Sequence, residues 1–241
     1  MDHPFARTEL LLGKEATETL AHARVAVFGL GGVGGAAVEA LARAGVGALD
    51  LIDSDTVSPS NLNRQLIATH ETLGQPKTQA AAARVHAIHP QCVVTMHDLF
   101  YLPESADAID LSLYNYIIDA VDTVAAKLTL AERAGNAGVP LISCMGTGNK
   151  LDPSLFRVCD LFETSGDPLS RVMRHECRKR GIHSLRVVWS PEPPLQPKGA
   201  CVDKAQQGRR SVPGSVPFVP PVAGFLLAGA VIKDLIGLQR M

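Results

Sequence analysis

No Cys-x-x-Cys pair occurs anywhere in this sequence. Its five cysteines, Cys92, Cys144, Cys159, Cys177 and Cys201, are odd in number and widely spaced, so neither a disulfide framework nor a zinc ribbon is indicated. A reduced, cytoplasmic setting is expected. An apolar leader is missing too: Met1 to Thr19 carries charges of both signs and no sustained apolar run, which predicts no signal peptide. Internal repeats are absent. The wholly apolar run Val222 to Ile232 falls well short of the roughly 20 residues a membrane span needs, and Lys233 and Asp234 end it. It predicts a core or dimer-interface helix entered through Pro220 and Pro221, with no stable membrane insertion.

Net charge is also nearly missing, at a formal −1, but this hides an asymmetry. Arg157 to Arg210 holds 11 Lys/Arg against 6 Asp/Glu, which leaves the remainder at −6. On charge alone that sector reads as a solvated face, although a basic sector on a near-neutral protein is also how phosphate-bearing partners are held. The 241 residues, 46% hydrophobic, are ample for a core and fit one large domain or one and a half.

What is present is concentrated in Arg24 to Asp55, RVAVFGLGGVGGAAVEALARAGVGALDLIDSD. A short apolar run, Val25 to Phe28, fits a buried strand and feeds into Gly29, Gly31, Gly32, Gly34 and Gly35. Ala36 to Ala44 has helical spacing and stops at Gly45, and Ala48 to Ile52 is a second strand ending in Asp53. Gly29, Gly31 and Gly34 match G-x-G-x-x-G, a loop that offers backbone N–H groups to phosphate where a Cβ would not fit. Asp53, about 20 residues on, stands where a carboxylate accepts ribose hydroxyls. A glycine-rich packing turn is the bland alternative, and it leaves Asp53 without a task.

Along the rest of the chain, Thr8 to Ala23 predicts a helix in two pieces broken at Gly13, with Leu10, Leu11, Leu12 and Leu20 available to bury and Arg7 ahead of them. Asp55 to Gln75 is long and polar, and its Asn61 to Gln65 cluster falls on the ligand-facing edge of a doubly wound sheet. A helix from Pro76 and Lys77 to about His89 follows, then strands over Cys92 to Met96, Tyr114 to Asp119 and Pro140 to Cys144, with a helix from Val124 to Gly138 before the last. The alternation predicts an α/β fold, a Rossmann-like, doubly wound and mainly parallel sheet. Beyond Gly148 the rhythm changes: strands at Phe156 to Leu161 and Leu185 to Trp189 flank a basic helix, Pro168 to Arg180, and Gln196 to Val219 reads as a surface crossover. A nucleotide core over 1–150 and a substrate-binding and dimerisation extension over 151–241 are expected within one domain. Arg64 and Lys77 suit a triphosphate, and Asp122 suits Mg²⁺. Their plain readings are surface charge for the two cations and a helix cap for Asp122.

Taken together, the G-x-G-G-x-G string, the acids Asp53 and Asp55, the Asn61-x-Asn63-Arg64-Gln65 block, Lys77 and Asp119-Ala120-Val121-Asp122 resemble the ATP-binding set of the ubiquitin-activating-enzyme superfamily, which includes the ThiF and MoeB adenylyltransferases. Those two typically carry zinc-binding C-x-x-C pairs, missing here. The second half, with Gly148 to Pro153, the Pro168 to Arg174 helix, Arg178 to Ile182 and Pro213 to Pro221, is instead similar to the tRNA threonylcarbamoyladenosine dehydratase branch.

The resemblance implies ATP-dependent adenylation of a threonyl carboxylate next to the tRNA anticodon, followed by intramolecular ring closure with loss of water. It places Gly29, Gly31, Gly32 and Gly34 at the phosphates, Asp53 at the ribose, and Asp55 among the cofactor-binding residues. Arg64 and Lys77 then serve the α-phosphate and pyrophosphate, Asn61 and Gln65 position them, Asp98 and Leu99 lie by the adenine, and Asp122 takes Mg²⁺. Arg7 implies a homodimer, since in relatives such an arginine reaches the partner subunit's triphosphate. Arg171, Arg174, Arg178, Lys179 and Arg180 are implied to hold the anticodon arm. Two other functions stay open: adenylation of a ubiquitin-like sulfur-carrier protein, with a sulfur-relay or carrier partner, and a nicotinamide-binding oxidoreductase or redox sensor. For the first, Cys177 between Arg174 and Arg178, or Cys201, are candidate thiols, although a structural role for the cysteines is preferred.

Overall fold

Seven short β-branched and apolar stretches form one sheet: β1 (Arg24–Phe28), β2 (Ala48–Ile52), β3 (Val93–His97), β4 (Tyr116–Asp119), β5 (Leu141–Cys144), β6 (Arg157–Asp160) and β7 (Arg186–Trp189). Their order is β3-β2-β1-β4-β5-β7-β6, and every neighbouring pair is parallel except β6 with β7. This computed structural model describes residues 3–199 and 213–238. Cys201 and the middle of the expected crossover lie outside the described residues. The order reverses at β1, between β2 and β4, so the loops at the carboxyl ends of these strands surround the crevice where a doubly wound sheet binds ligands.

The helices are α1 (Ala6–Leu12), α2 (Lys14–His22), α3 (Gly34–Ala44), α4 (Lys77–Ile88), α5 (Val124–Ala137), α6 (Pro168–Lys179) and α7 (Pro220–Leu235). Boundaries differ from the sequence expectation mainly at ends. β4 starts at Tyr116 because Tyr114 N–H closes a 3₁₀ turn on the Leu111 carbonyl. α1 and α2 break at Gly13, whose φ of 87° suits glycine. Only Ala6 and Leu20 of this pair are buried; Leu10 and Leu11 are 67% and 85% exposed rather than packed inward.

The main core lies between the sheet and α3, α4 and α7. Val25, Val27, Leu49, Leu51 and Ile118 meet Leu41, Val85, Leu227 and Val231 there. The apolar C-terminal run is a core helix, as expected, and among the described residues no helix is long and apolar enough to cross a membrane. α7 lies so close on α3 that a Cβ on Gly224 would stand 2.2 Å from the Val33 carbonyl oxygen. The opposite face is covered by α5 with Tyr101, Ile109 and Leu111, and a third cluster joins α5 and α6 to β7.

Candidate active site

The turn after β1 is shaped by contacts that only glycine allows. Gly29 has φ 88°, and a Cβ there would lie 2.6 Å from the Ala120 carbonyl oxygen; on Gly34 it would lie 1.7 Å from the Gly29 oxygen. Gly31 is different: a Cβ would meet nothing nearer than Gln65 Nε2 at 3.9 Å, so packing within the protein does not demand this glycine. The Leu30 N–H donates to Asp53 Oδ2 at 2.6 Å, whereas the N–H groups of Gly31, Gly32, Val33 and Gly34 have no acceptor among the described residues. They open the N-terminus of α3, which has no side-chain cap. Free donors and a helix dipole converge there on space suited to phosphate.

Asp53 braces this loop before it touches any ligand, since its other oxygen accepts the Asp55 N–H at 2.8 Å. Lys77 is 6% exposed and donates to Asp55 Oδ2 at 2.7 Å, with Asp53 Oδ1 at 3.9 Å. It is positioned by its own N–H, which bonds the Asp55 carbonyl and ties the start of α4 to the exit of β2. Arg64 donates to the Ser60 carbonyl and Asn63 Oδ1, both at 2.9 Å. Burial lowers its pKa, and no carboxylate pairs with it among the described residues. A partly desolvated guanidinium without a counter-ion favours an arriving anion.

The rest of that block is structural support. Asn61 closes a capping box, accepting the Ser58 N–H at 3.0 Å. Gln65 is buried beside Gly31, and its Oε1 has no partner. Asn63 Nδ2 donates to the Ser215 carbonyl at 3.0 Å, which brings the returning crossover to this edge. Asp98 accepts the Thr78 hydroxyl from α4, and Leu99 packs beside Phe28, Ile52 and Tyr101, an apolar wall next to β1.

Asp122 is exposed beyond β4, and among the described residues its side chain accepts one hydrogen bond, from the Thr123 hydroxyl at 3.3 Å. Thr123, not Asp122, is the N-cap of α5. No cluster of three metal-binding side chains occurs among the described residues. A free carboxylate at the phosphate edge nevertheless fits Mg²⁺, which commonly takes one or two carboxylates plus phosphate oxygens.

Arg7 sits elsewhere. Phe5, two residues before it, packs edge-on against His89 with ring centroids 5.0 Å apart and against Gly45, at the ends of α4 and α3. That is the amino edge of the sheet, opposite the glycine turn, so Arg7 does not reach the site of its own chain. The four basic residues Arg171, Arg174, Arg178 and Lys179 of α6, and Arg180 that caps it, also divide. Lys179 and Arg180 bond Glu176 at 3.0 and 2.8 Å, Arg174 donates to Thr164, and Arg178 lies over the Phe162 ring at 5.2 Å. Arg171 is exposed and has no acidic partner among the described residues. Cys177 is wholly buried, and burial pushes its thiol up to about 11, which corrects the idea of an activated thiol between two arginines.

Three buried charge clusters escaped the sequence analysis. Lys127, fully buried under the Asp122 turn, donates to both Asp119 oxygens at 3.1 Å, to Ser143 Oγ at 3.2 Å and to the Cys144 carbonyl at 2.8 Å. Asp50, in mid-sheet, accepts from Arg24 at 2.7 and 3.0 Å and from the Tyr114 hydroxyl at 3.2 Å, and lies 3.0 Å from His97 Nε2. Burial works against its charge, but the hydrogen bonds from Arg24 and His97 outweigh it and hold the carboxyl below its ordinary value. Lys150, beyond β5, lies 3.9 Å from Asp167. The only sequence signal was a charged residue inside an apolar or glycine-rich stretch.

A match to the ThiF family covers residues 5–240. The chain is 42% identical to the tRNA threonylcarbamoyladenosine dehydratase of Bacillus subtilis, over 98% of this chain and 96% of that protein. Crystal structures of the Escherichia coli enzyme, TcdA, in complex with AMP and with ATP align with TM-scores of 0.86 and 0.85 at 33% and 31% identity, each covering 97% of this chain and 94% of that one. The chain is 41% identical to the molybdopterin-synthase adenylyltransferase of Salmonella typhimurium, but over only 54% of this chain and 51% of that protein.

Proposed function

Because this chain belongs to the ThiF family, we propose that it is an ATP-dependent tRNA threonylcarbamoyladenosine dehydratase that cyclises the modified nucleoside beside the anticodon. The observation that carries this reading is 42% identity to such a dehydratase over 98% of the chain, against 41% identity over only 54% of it for the molybdopterin-synthase enzyme.

The threonyl carboxylate attacks the α-phosphorus of ATP, pyrophosphate leaves, and a carbamoyl nitrogen then attacks the acyl carbon and expels AMP. The unpartnered N–H groups of Gly31 to Gly34 cradle phosphate oxygens, Arg64 and Lys77 neutralise the charge of the departing pyrophosphate, and Asp53 and Asp55 hold the ribose edge. Asp98 and Leu99 border the adenine, while Asn61 and Gln65 keep the Arg64 turn in place. Asp122 would hold Mg²⁺, which would supply charge neutralisation on the phosphates. The nucleophile that closes the ring belongs to the same nucleoside, so ring closure is intramolecular and needs no thiol.

Arg7 completes the site of a second copy, which makes the working unit a homodimer; its place at the far edge of its own sheet supports this. Arg171, Arg174 and Arg178 meet the anticodon arm, with Lys179 and Arg180 joining once released from Glu176. The cell compartment is the cytoplasm, where tRNA is modified. Adenylation of a sulfur-carrier protein is the second reading, supported by the 41% identity to the molybdopterin-synthase enzyme over 54% of this chain. Comparing nucleosides from gently isolated tRNA of cells with and without the gene separates the two. A product one water lighter, present only with the gene, is expected; unchanged nucleosides together with adenylation of a carrier ending in Gly-Gly would replace the first reading with the second.

A further inference from the structure

Between Met145, whose N–H bonds the Val188 carbonyl at 2.9 Å, and Asn149, whose N–H bonds the Gly214 carbonyl at 2.8 Å, lie Gly146, Thr147 and Gly148. These three are half-buried, yet none of their N–H groups, nor the Thr147 hydroxyl, has a partner among the described residues. The strip is not slack. A Cβ on Gly146 would stand 2.8 Å from Asp167 Oδ1 and one on Gly148 would stand 2.7 Å from Pro213 Cβ, so protein closes in on both ends. Asn149 holds a left-handed φ of 59°, its Oδ1 accepts the Gly214 N–H at 2.6 Å, and its carbonyl accepts the Leu195 N–H at 2.8 Å. Lys150, 3% exposed, donates to the carbonyls of Ser190 and Glu192, and the Glu192 carboxylate accepts the N–H groups of Leu151 and Asp152 at 2.8 and 3.1 Å.

Position adds to this. In the sheet order β1-β4-β5, Asp119 pairs with Ser143, so the strip leaves its strand one spacing, about 4.8 Å, from the strand that ends in the Ala120 to Asp122 turn. The glycine turn touches that same Ala120 from the other side. The strip therefore stands on the β5 side of β4, one strand away from the glycine turn where the α-phosphate is proposed to sit.

We propose that the backbone N–H groups of Gly146, Thr147 and Gly148 form the seat for the substrate's acyl oxygen; the inference rests on the proposed dehydratase function. When the carbamoyl nitrogen attacks, its N–H proton passes to solvent, a C–N bond forms and the acyl oxygen takes up the carbonyl electron pair. That pair returns as the C–O bond to AMP breaks. Fixed donors facing the transient oxyanion stabilise the step because they need no reorganisation.

The test compares Thr147→Pro, which deletes the middle N–H, with Thr147→Val, which keeps it and removes the hydroxyl. For Thr147→Pro, kcat for ring formation is expected to fall about 100-fold while ATP affinity and KM for tRNA stay within about two-fold, and Thr147→Val is expected to stay near wild type. Wild-type turnover by Thr147→Pro, or a parallel loss of ATP affinity, would overturn the proposal. Should the proline variant not fold, wild-type protein with ¹⁵N-labelled Gly and Thr decides. Amide signals of residues 146–148 that move with an acyl-sulfamate analogue of the adenylate but not with AMP support the seat, and signals indifferent to both refute it. Failure of the functional reading looks different: the wild type itself then leaves threonylcarbamoyladenosine in tRNA unchanged in the presence of ATP.

Discussion

A guanidinium that burial has partly dried, with no carboxylate beside it, gains more from an anion than one already paired. Arg64→Gln is therefore expected to lower the rate of ATP–pyrophosphate exchange by about 10²- to 10³-fold with little change in Tm, whereas Lys77→Met is expected to lower the rate as far and to lower Tm as well, because it removes a buried cation paired with Asp55. Asp50 has a structural role. Its folded pKa is depressed, so its contribution is complete above the unfolded carboxylate value of about 3.9 and is lost as pH falls through the lower folded value. Asp50→Asn is expected to cost about 2 kcal/mol at pH 7 by urea unfolding, and its deficit against wild type should shrink below about pH 4. Cys177→Ala is expected to cost about 1–2 kcal/mol through lost burial while ring formation continues at the wild-type rate. A variant that still released pyrophosphate but formed no ring would restore the thiol to the chemistry.

At the scale of elements, the glycine turn is only as fixed as the two helices pressed together beneath it. Gly224→Ala sets a Cβ 2.2 Å from the Val33 oxygen at the head of α3, so about 1–3 kcal/mol of stability is expected to go, and ATP affinity with it, as titration calorimetry would read. The elements themselves were legible because apolar runs and helical spacing are local properties: β2 and the chain break at Gly13 fall where the sequence puts them. Leu10 and Leu11 were misplaced because apolar character does not say whether another element lies within reach. The glycine turn and the Arg64 block were legible for the same local reason, as a motif in a strand-to-helix setting. The charge clusters were not. Asp50 finds partners 26, 47 and 64 residues away, distances at which only the folded sheet brings side chains together.

For the whole molecule, the far-edge placement of Arg7 turns subunit composition into a measurement. Arg7→Ala and Lys77→Met proteins, each inactive alone, are expected on reassortment to recover about a quarter of wild-type activity, because half the dimers are mixed and each has one intact site. No recovery would show that Arg7 serves no neighbouring copy. The close approach of Pro220 to Gly32, where a Cβ would lie 3.0 Å from it, also imposes an order on biosynthesis. At ribosomal speeds of about 5–20 residues per second, the segment near residue 30 emerges about 10–40 s before the segment that locks it. Throughout that interval the flank of α3 that α7 covers has no partner, and stalled or clipped products ending before Pro220 are expected to be protease-sensitive at the glycine turn, as limited proteolysis would read.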